Sequence, residues 1–380
     1  MDNFQESITI IHTQFGPYHF ARTKAIAKLY PGKVRLIQLA SQEKQRDWIV
    51  DVDESELITI SQGTLENIHP RIITRQLAKC LDTIIPNVLV IAGYAHPAMR
   101  YATLWAKSKG VASILLSDSQ QQDRPRNFIK ERLKGLWICR NFDAAFVAGA
   151  NAVFYLNKLG FPLHKIWRGY DVVNNHYFAL EAKNINFSSS QECDYLRLPK
   201  KFFLYVGRFS PEKNLLRLLL AYQLYRQQAD QEAWSLVMVG SGPQEAELKA
   251  QAQELNLQDV IWSGFQQMDK LPSYYGLAST LILPSLSEPW GLVVNEAMAC
   301  NLPILISERC GCVPDLVFPG INGYVFNPLN VEQMALAMTA MTAKSDFKRQ
   351  KMGHASSRII ANYTPEIWAE ALFDCIQTVN

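Results

Sequence analysis

Residues 281–300 read LILPSLSEPWGLVVNEAMAC. The apolar run Leu281–Leu286 carries a proline and gives way to Ser287, Glu288 and Pro289. From Gly291 the pattern turns helical through Leu292, Val293, Asn295, Glu296, Ala297 and Met298. A short apolar run, a tight turn and then a helical period describe a buried strand, a loop and a helix. Glu288 then stands at the carboxyl end of the strand, where open α/β sheets bind ligands. Glu296 falls roughly two turns into the helix and can face the same crevice. The amides of Trp290, Gly291 and Leu292 form the helix N-terminus, a natural site for anionic oxygens. Taken alone, two glutamates at this spacing mean little and read as two solvated side chains. Their setting, SEPWG followed by NEAMA, points to a site, because Pro289 and Gly291 shape a loop whose backbone a ligand can approach.

A second element lies upstream. Phe202–Val206 reads as a strand running into Gly207-Arg208-Phe209-Ser210-Pro211-Glu212-Lys213-Asn214, with a helix from Leu215. Arg208 offers a forked donor to phosphate oxygens, and Lys213 offers a compact charge a short loop away. Ser235–Val239 is the next strand, closed by Gly240-Ser241-Gly242-Pro243; Val260–Trp262 follows, with Gly264 and Phe265 in its turn. Leu271–Ala278 is a helix whose Tyr274 and Tyr275 either pack in the core or stack on a base. Pro303–Ser307 is a further buried strand.

Glu288, seven intervening residues and Glu296, together with GRFSPEKN and Gly320–Phe326 (GINGYVF), resemble the retaining glycosyltransferases of family 4. The resemblance is strong over roughly 199–330 and mainly architectural before that. It implies the GT-B fold, two Rossmann-like doubly wound α/β domains facing an interdomain cleft. It also implies that Glu288 holds hydroxyls of the transferred sugar and Glu296 the nucleotide's ribose. In the resemblance Gly240 packs near the nucleotide, and backbone at Gly264 and Phe265 reads the nucleobase. Gly207 starts the loop in which Arg208 and Lys213 replace a metal in gathering the departing diphosphate, so no metal or other cofactor is expected beside the nucleotide diphosphate sugar. Asp315 departs mildly from the family, which commonly carries glutamate there.

The first half alternates in the same way. Ile8–His12 is a strand, Phe15-Gly16-Pro17 a loop and Tyr18–Leu29 a helix, with Val34–Leu39 the next strand. Its first turn is not G-x-G-x-x-G. In the resemblance this loop lines the donor-sugar side, with Gly16 permitting close approach. His19 either touches acceptor or phosphate or is an ordinary helix-face residue. Asn87–Ile91 ends at Tyr94 and His96, and Ala112–Leu116 ends at Ser117 and Asp118. Many family members carry a histidine at the second of these ends, so the acceptor-side base stays open between Asp118 first and His96 second. An aspartate that merely caps the next segment is the alternative. Tyr94 and Ser117 complete the acceptor-side candidates. Tyr170 and Asp171, in GYDVVNNHYF, shape a hinge rather than catalyse.

Residues 123–140 give one apolar helix stripe, Ile129, Leu133, Leu136 and Trp137, beside a basic stripe, Arg126, Lys130 and Lys134. Such a helix either packs its apolar face on the sheet or lies at an anionic membrane, and both can hold. The expected domains are 1–178 with a returning C-terminal helix in 357–380 on the acceptor side, a polar linker 179–198, and a donor-binding domain 199–356. The last helix, Pro365–Ile376, shows a stripe of Ile367, Ala371, Leu372 and Cys375.

The whole chain bounds these readings. At 380 residues it holds two or three domains, and 48% hydrophobic with 19% charged residues is globular. A formal net charge of +3, without zinc-finger spacing or an RNP-like run, does not predict nucleic-acid binding. Seven scattered cysteines suit a reducing compartment. Cys310-Gly311-Cys312 reads as loop packing rather than half of a zinc site. Neither a secretory signal nor a run of about 18 apolar residues is present, so a cytoplasmic enzyme, in part membrane-associated, is expected.

The expectation is transfer of a hexosyl unit from a nucleotide diphosphate sugar, most commonly a UDP-sugar in the family, to a hydroxyl acceptor. A glycolipid, a polysaccharide precursor and a small alcohol are all candidate acceptors. A nucleotide-sugar epimerase of the same fold and a non-catalytic sugar-nucleotide-binding module are the rivals. A phosphorylase would need orthophosphate and usually pyridoxal phosphate, in a longer chain.

Overall fold

Parallel sheets covered on both faces demand strands that are apolar along their whole length, and runs such as Val88–Ile91 and Phe202–Val206 supply them. In a computed structural model, which describes residues 6–44, 57–123, 125–187, 192, 195–229 and 233–379, these runs are the centres of two sheets.

The first sheet has seven strands: β1 (Ser7–His12), β2 (Lys33–Gln42), β3 (Leu57–Thr64), β4 (Val88–Ala92), β5 (Ala112–Ser117), β6 (Ala144–Val147) and β7 (Ile166–Arg168). They pair in parallel in the order β3-β2-β1-β4-β5-β6-β7. The second has six: β8 (Phe202–Val206), β9 (Ser235–Val239), β10 (Val260–Gly264), β11 (Thr280–Leu283), β12 (Ile304–Ser307) and β13 (Gly323–Phe326). Its order, β10-β9-β8-β11-β12-β13, is again all parallel. In each sheet the winding reverses once, between β1 and β4 and between β8 and β11. The carboxyl ends beside such a reversal are where open sheets bind ligands.

The chain divides into two compact units, Met1–Gln121 with Pro125–Val172 and Pro365–Asn380, and Gln122–Arg124 with Val173–Thr364. The boundaries expected at 178 and 356 therefore move to 172 and 364. Part of the expected linker is a helix, Asn175–Phe187, that belongs to the second unit. Phe178 from this helix is fully buried, its ring 6.1 Å from that of Tyr275, and its carbonyl accepts a hydrogen bond from Cys300 Sγ. The polar composition of the outward face hid it. The helix Asp346–Ile360 also stays with the second unit, burying Met352, Ala355 and Ile360.

The closing helix, Pro365–Gln377, belongs to the first unit, with Trp368 5.8 Å from Phe146 and Phe373 6.2 Å from Tyr30. Its buried stripe is Trp368, Ala369, Leu372, Cys375 and Ile376, whereas Ile367 is exposed. Leu372 and Cys375 of the expected stripe are buried as read, while Trp368, Ala369 and Ile376 take the places given to Ile367 and Ala371.

Arg22, buried in the first unit, donates through Nε and Nη2 to the Val172 carbonyl at 3.0 and 2.8 Å. It also lies 3.5 Å from Asp171 and 5.0 Å from the ring centre of Tyr170. Tyr170 and Asp171 thus brace the last residues of this unit.

The helix Phe128–Asn141 departs from the reading in which its apolar stripe packs on the sheet. Ile129, Leu133 and Leu136 are exposed, and only Trp137 of the four apolar residues turns inward. Among the described residues no helix is long and apolar enough to cross a membrane.

Candidate functional site

The site grows from the loops after β8 and β11, the two strands that flank the winding reversal of the second sheet. β11 ends at Leu283, one residue before Pro284, and not at Leu286 as the apolar run suggested. Proline cannot donate to a ladder, so the chain leaves the sheet there. The Leu286 amide instead donates to the Glu212 carbonyl at 2.8 Å, tying the second loop to the first. Asn214 reinforces the tie. Its φ of 62° is left-handed, and its Nδ2 donates to the carbonyls of Pro284 at 3.1 Å and Pro328 at 2.7 Å. Sequence reading gave Asn214 no role, although asparagine before a helix is a good left-handed candidate.

These ties bring the two expected site residues together. The Lys213 ammonium donates to Glu288 Oε2, forming an ion pair. Ser285 Oγ donates to the same oxygen at 3.4 Å. Burial alone would lower the Lys213 pKa, but the adjacent Glu288 carboxylate outweighs it and the net shift is upward. Nearby, Ser210 Oγ donates to Glu212 Oε1 at 2.5 Å. Burial raises the Glu212 pKa, yet that hydrogen bond, one from backbone, and the charges of Lys213 and Arg208 together bring it below the ordinary value. Arg208 is exposed beside Gly207 at the end of β8. The loop after β8 thus carries two cations and an ionised carboxylate.

The glutamate loop is held from below by Cys310-Gly311-Cys312. Gly311 N donates to the Glu288 carbonyl at 2.9 Å and Cys312 N to the Trp290 carbonyl at 3.3 Å. Both cysteines are fully buried, so they pack a loop as the sequence suggested. The Trp290 ring is buried, its Nε1 donating to Asn295 Oδ1 at 2.9 Å, so Trp290 can offer a ligand only backbone. Pro289 links it to Glu288. Gly291, with φ of 103°, caps the helix Leu292–Ala299, which starts directly on this loop.

Glu296 lies in that helix, 1% exposed, and accepts a hydrogen bond from Tyr275 Oη at 2.6 Å. Tyr274 and Tyr275 are both buried, which decides for the core among their two readings. The hydroxyl that orients Glu296 was not legible because it comes from a different helix.

The loops after β8, β9 and β10 form one hydrogen-bonded wall. Gly207 N donates to the Val239 carbonyl at 3.0 Å, Phe209 N to Ser241 at 2.8 Å, and Gly240 N to Gly264 at 2.8 Å. A Cβ on Gly240 would lie 1.9 Å from the Gly207 carbonyl oxygen, so only glycine fits. Phe265, next along, keeps 44% of its surface exposed.

The remaining candidates sit in the first unit. Gly16 N donates to His19 Nδ1 at 2.8 Å, and Ala98 N donates to His96 Nδ1 at 3.2 Å. Accepting at Nδ1 assigns the neutral tautomer with hydrogen on Nε2. Burial, then the charge of Arg100, lowers the His96 pKa and favours that neutral form. His96 in this tautomer offers a donor, not a base, at its outer nitrogen. Tyr94 lies against Trp137 at 5.8 Å. Ser117 Oγ accepts from Ser119 N at 3.3 Å, and Asp118 is exposed just past β5.

Among the described residues no group of three or more His, Cys, Asp and Glu is placed to hold a metal ion. The chain's Asp-x-Asp triplet, Asp51-Val52-Asp53, lies outside the described residues.

Residues 195–358 match the family described as glycosyl transferases group 1. An uncharacterized glycosyltransferase of Methanocaldococcus jannaschii is 25% identical over 187 residues, 48% of this chain and 47% of that protein. The chain spans about half the length of that relative. Among solved structures, the sucrose-phosphate synthase of Thermosynechococcus elongatus superposes with a TM-score of 0.77 at 19% identity, covering 98% of this chain and 99% of that one. Anabaena HepE in complex with UDP and glucose superposes at 0.74 and 15% identity, covering 98% of this chain and 100% of that one. At these identities the likeness is one of fold, GT-B.

Proposed function

We propose that this chain, whose residues 195–358 match the family of glycosyl transferases group 1, moves a hexosyl unit from a nucleotide diphosphate sugar to a hydroxyl acceptor, with retention at the anomeric carbon. The observation that carries the reading is the Lys213–Glu288 pair at the winding reversal, with Arg208 on the same loop as Lys213 and a helix start four residues past Glu288. A cation pair and a helix N-terminus suit a pyrophosphate, and a carboxylate among them suits sugar hydroxyls.

In this reading the bond from the anomeric carbon to the diphosphate oxygen breaks, and the diphosphate leaves with increased negative charge. Lys213, Arg208 and the first amides of the Leu292–Ala299 helix stabilise that charge without a metal. Glu288 positions the sugar hydroxyls, and Glu296, oriented by Tyr275, holds the ribose. The acceptor oxygen bonds to the anomeric carbon on the face the diphosphate leaves, and its proton passes to the departing phosphate. Asp118 is the first-unit residue best suited to assist. The two glutamates are not a glycosidase acid and nucleophile, because they serve different ends of one donor. UDP is the favoured carrier, a choice supported by the UDP bound in the HepE structure.

Incubation with a panel of nucleotide sugars, each with and without glycolipid, oligosaccharide and small-alcohol acceptors, tests the proposal. It predicts free UDP whose release depends on an acceptor, and a product whose anomeric coupling constant matches the donor's. Epimerised donor without nucleotide release, or binding without turnover, overturns it.

A further inference from the structure

The helix Phe128–Asn141 is amphipathic in the wrong sense for a helix resting on a sheet. Its inward face carries Glu131, Lys134, Gly135, Ile138 and Asn141, and its outward face the large apolar residues. Close packing explains the orientation. A Cβ on Gly135 would lie 2.1 Å from the Leu159 carbonyl oxygen, so the helix approaches its neighbour Ala150–Lys158 backbone to backbone at this point. Polar contacts complete the seat. Lys134 Nζ donates to Tyr155 Oη, which in turn donates to Glu131. Arg126 Nε donates to the Gln121 carbonyl at 3.2 Å, and its guanidinium lies 3.7 Å from Glu131. Two of the three residues of the expected basic stripe, Arg126 and Lys134, are thus consumed inside.

Outside, Phe128 is 78% exposed, Ile129 67%, Leu133 62% and Leu136 62%. Exposed Lys130, Arg132 and Arg140 interleave with them, while the helix's one acidic residue, Glu131, points inward. Spacing i, i+4, i+7 puts Ile129, Leu133 and Leu136 on one line. An apolar line edged only by cations is complementary to a surface that is apolar inside and negatively charged at its rim. Fourteen residues make a helix of about 21 Å, which suits lying along such a surface.

We infer that the outward face of Phe128–Asn141 docks on an anionic lipid surface, with Phe128, Ile129, Leu133 and Leu136 entering the headgroup–acyl boundary and Lys130, Arg132 and Arg140 meeting lipid phosphates. This function of the first unit does not depend on the reaction proposed for the second.

Co-sedimentation of the full chain with phosphatidylcholine vesicles and with phosphatidylcholine–phosphatidylglycerol vesicles tests it at two salt concentrations. Two variants accompany the wild type, Leu133→Ser with Leu136→Ser, and Lys130→Glu with Arg132→Glu. All four positions are exposed, so both variants are expected to unfold at the wild-type temperature. The inference predicts binding to the anionic vesicles, weakened by salt, and a loss of about tenfold or more in partition for each variant. Wild-type binding that is absent, or indifferent to lipid charge, overturns it. So does a wild-type dimer in lipid-free solution that the leucine variant dissociates, because a second copy then covers the stripe.

Discussion

Lys213 and Glu288, 75 residues apart in sequence, share an ion pair in which their side chains keep only 19% and 13% of their exposure. Neither charge is stable alone in such a place, because removing one strands the other with little solvent. Lys213→Met and Glu288→Gln are each predicted to cost about 1–3 kcal/mol of stability, and the double substitution less than their sum. Chemical denaturation of all four proteins measures the coupling. Strict additivity would show that the pair contributes nothing.

Asn214 holds the two site loops in register from a left-handed backbone. Asn214→Ala loses both carbonyl contacts and keeps a Cβ at a φ of 62° without the side-chain hydrogen bonds that let asparagine adopt it, a predicted cost of about 2–4 kcal/mol. Asn214→Gly loses the same contacts without the backbone penalty and should cost about 1 kcal/mol less. Equal denaturation midpoints for the two variants would remove the argument from backbone strain.

Glu212 gives a pH signature. Its pKa is lowered on folding below the ordinary glutamate value, so its carboxylate stabilises the fold fully above that ordinary value and progressively less as pH falls through the lowered one. Glu212→Gln is therefore predicted to be less stable than wild type at neutral pH, with the deficit closing in acid. Unfolding midpoints taken across the acid range check this. A deficit that stays constant with pH would mean that the charge is not what stabilises.

Tyr275 acts on the proposed reaction only through Glu296. Tyr275→Phe keeps the packed ring and deletes the hydroxyl, so the account predicts a donor KM raised about tenfold with kcat changed by only a few-fold. A variant that is merely destabilised, with wild-type KM, would assign Tyr275 to the core alone.

Much of this was legible before any coordinates, for stated physical reasons. Strands buried on both faces have to be continuous apolar runs, so β1, β4, β8 and β9 could be read directly. Arg208 and Glu288 were read at strand ends, with Lys213 a short loop beyond, and parallel winding brings the loops after neighbouring strands together. What could not be read depended on contacts between distant residues. Glu296 gives no sign of Tyr275, nor Asn214 of the carbonyls of Pro284 and Pro328. The Asn175–Phe187 helix was hidden because few of its residues meet the core. Periodicity found the apolar line of Ile129, Leu133 and Leu136 but could not tell which way it faced. That was decided by Gly135 and the Glu131–Tyr155–Lys134 contacts.

Calorimetric titration of UDP into wild type, Arg208→Ala, Lys213→Ala and Glu288→Ala tests the central assignment most directly. The account predicts affinity weakened about tenfold or more by loss of either cation. Glu288→Ala should bind within a few-fold of wild type while losing about a hundredfold or more in turnover. Wild-type UDP affinity in both cation variants would contradict it.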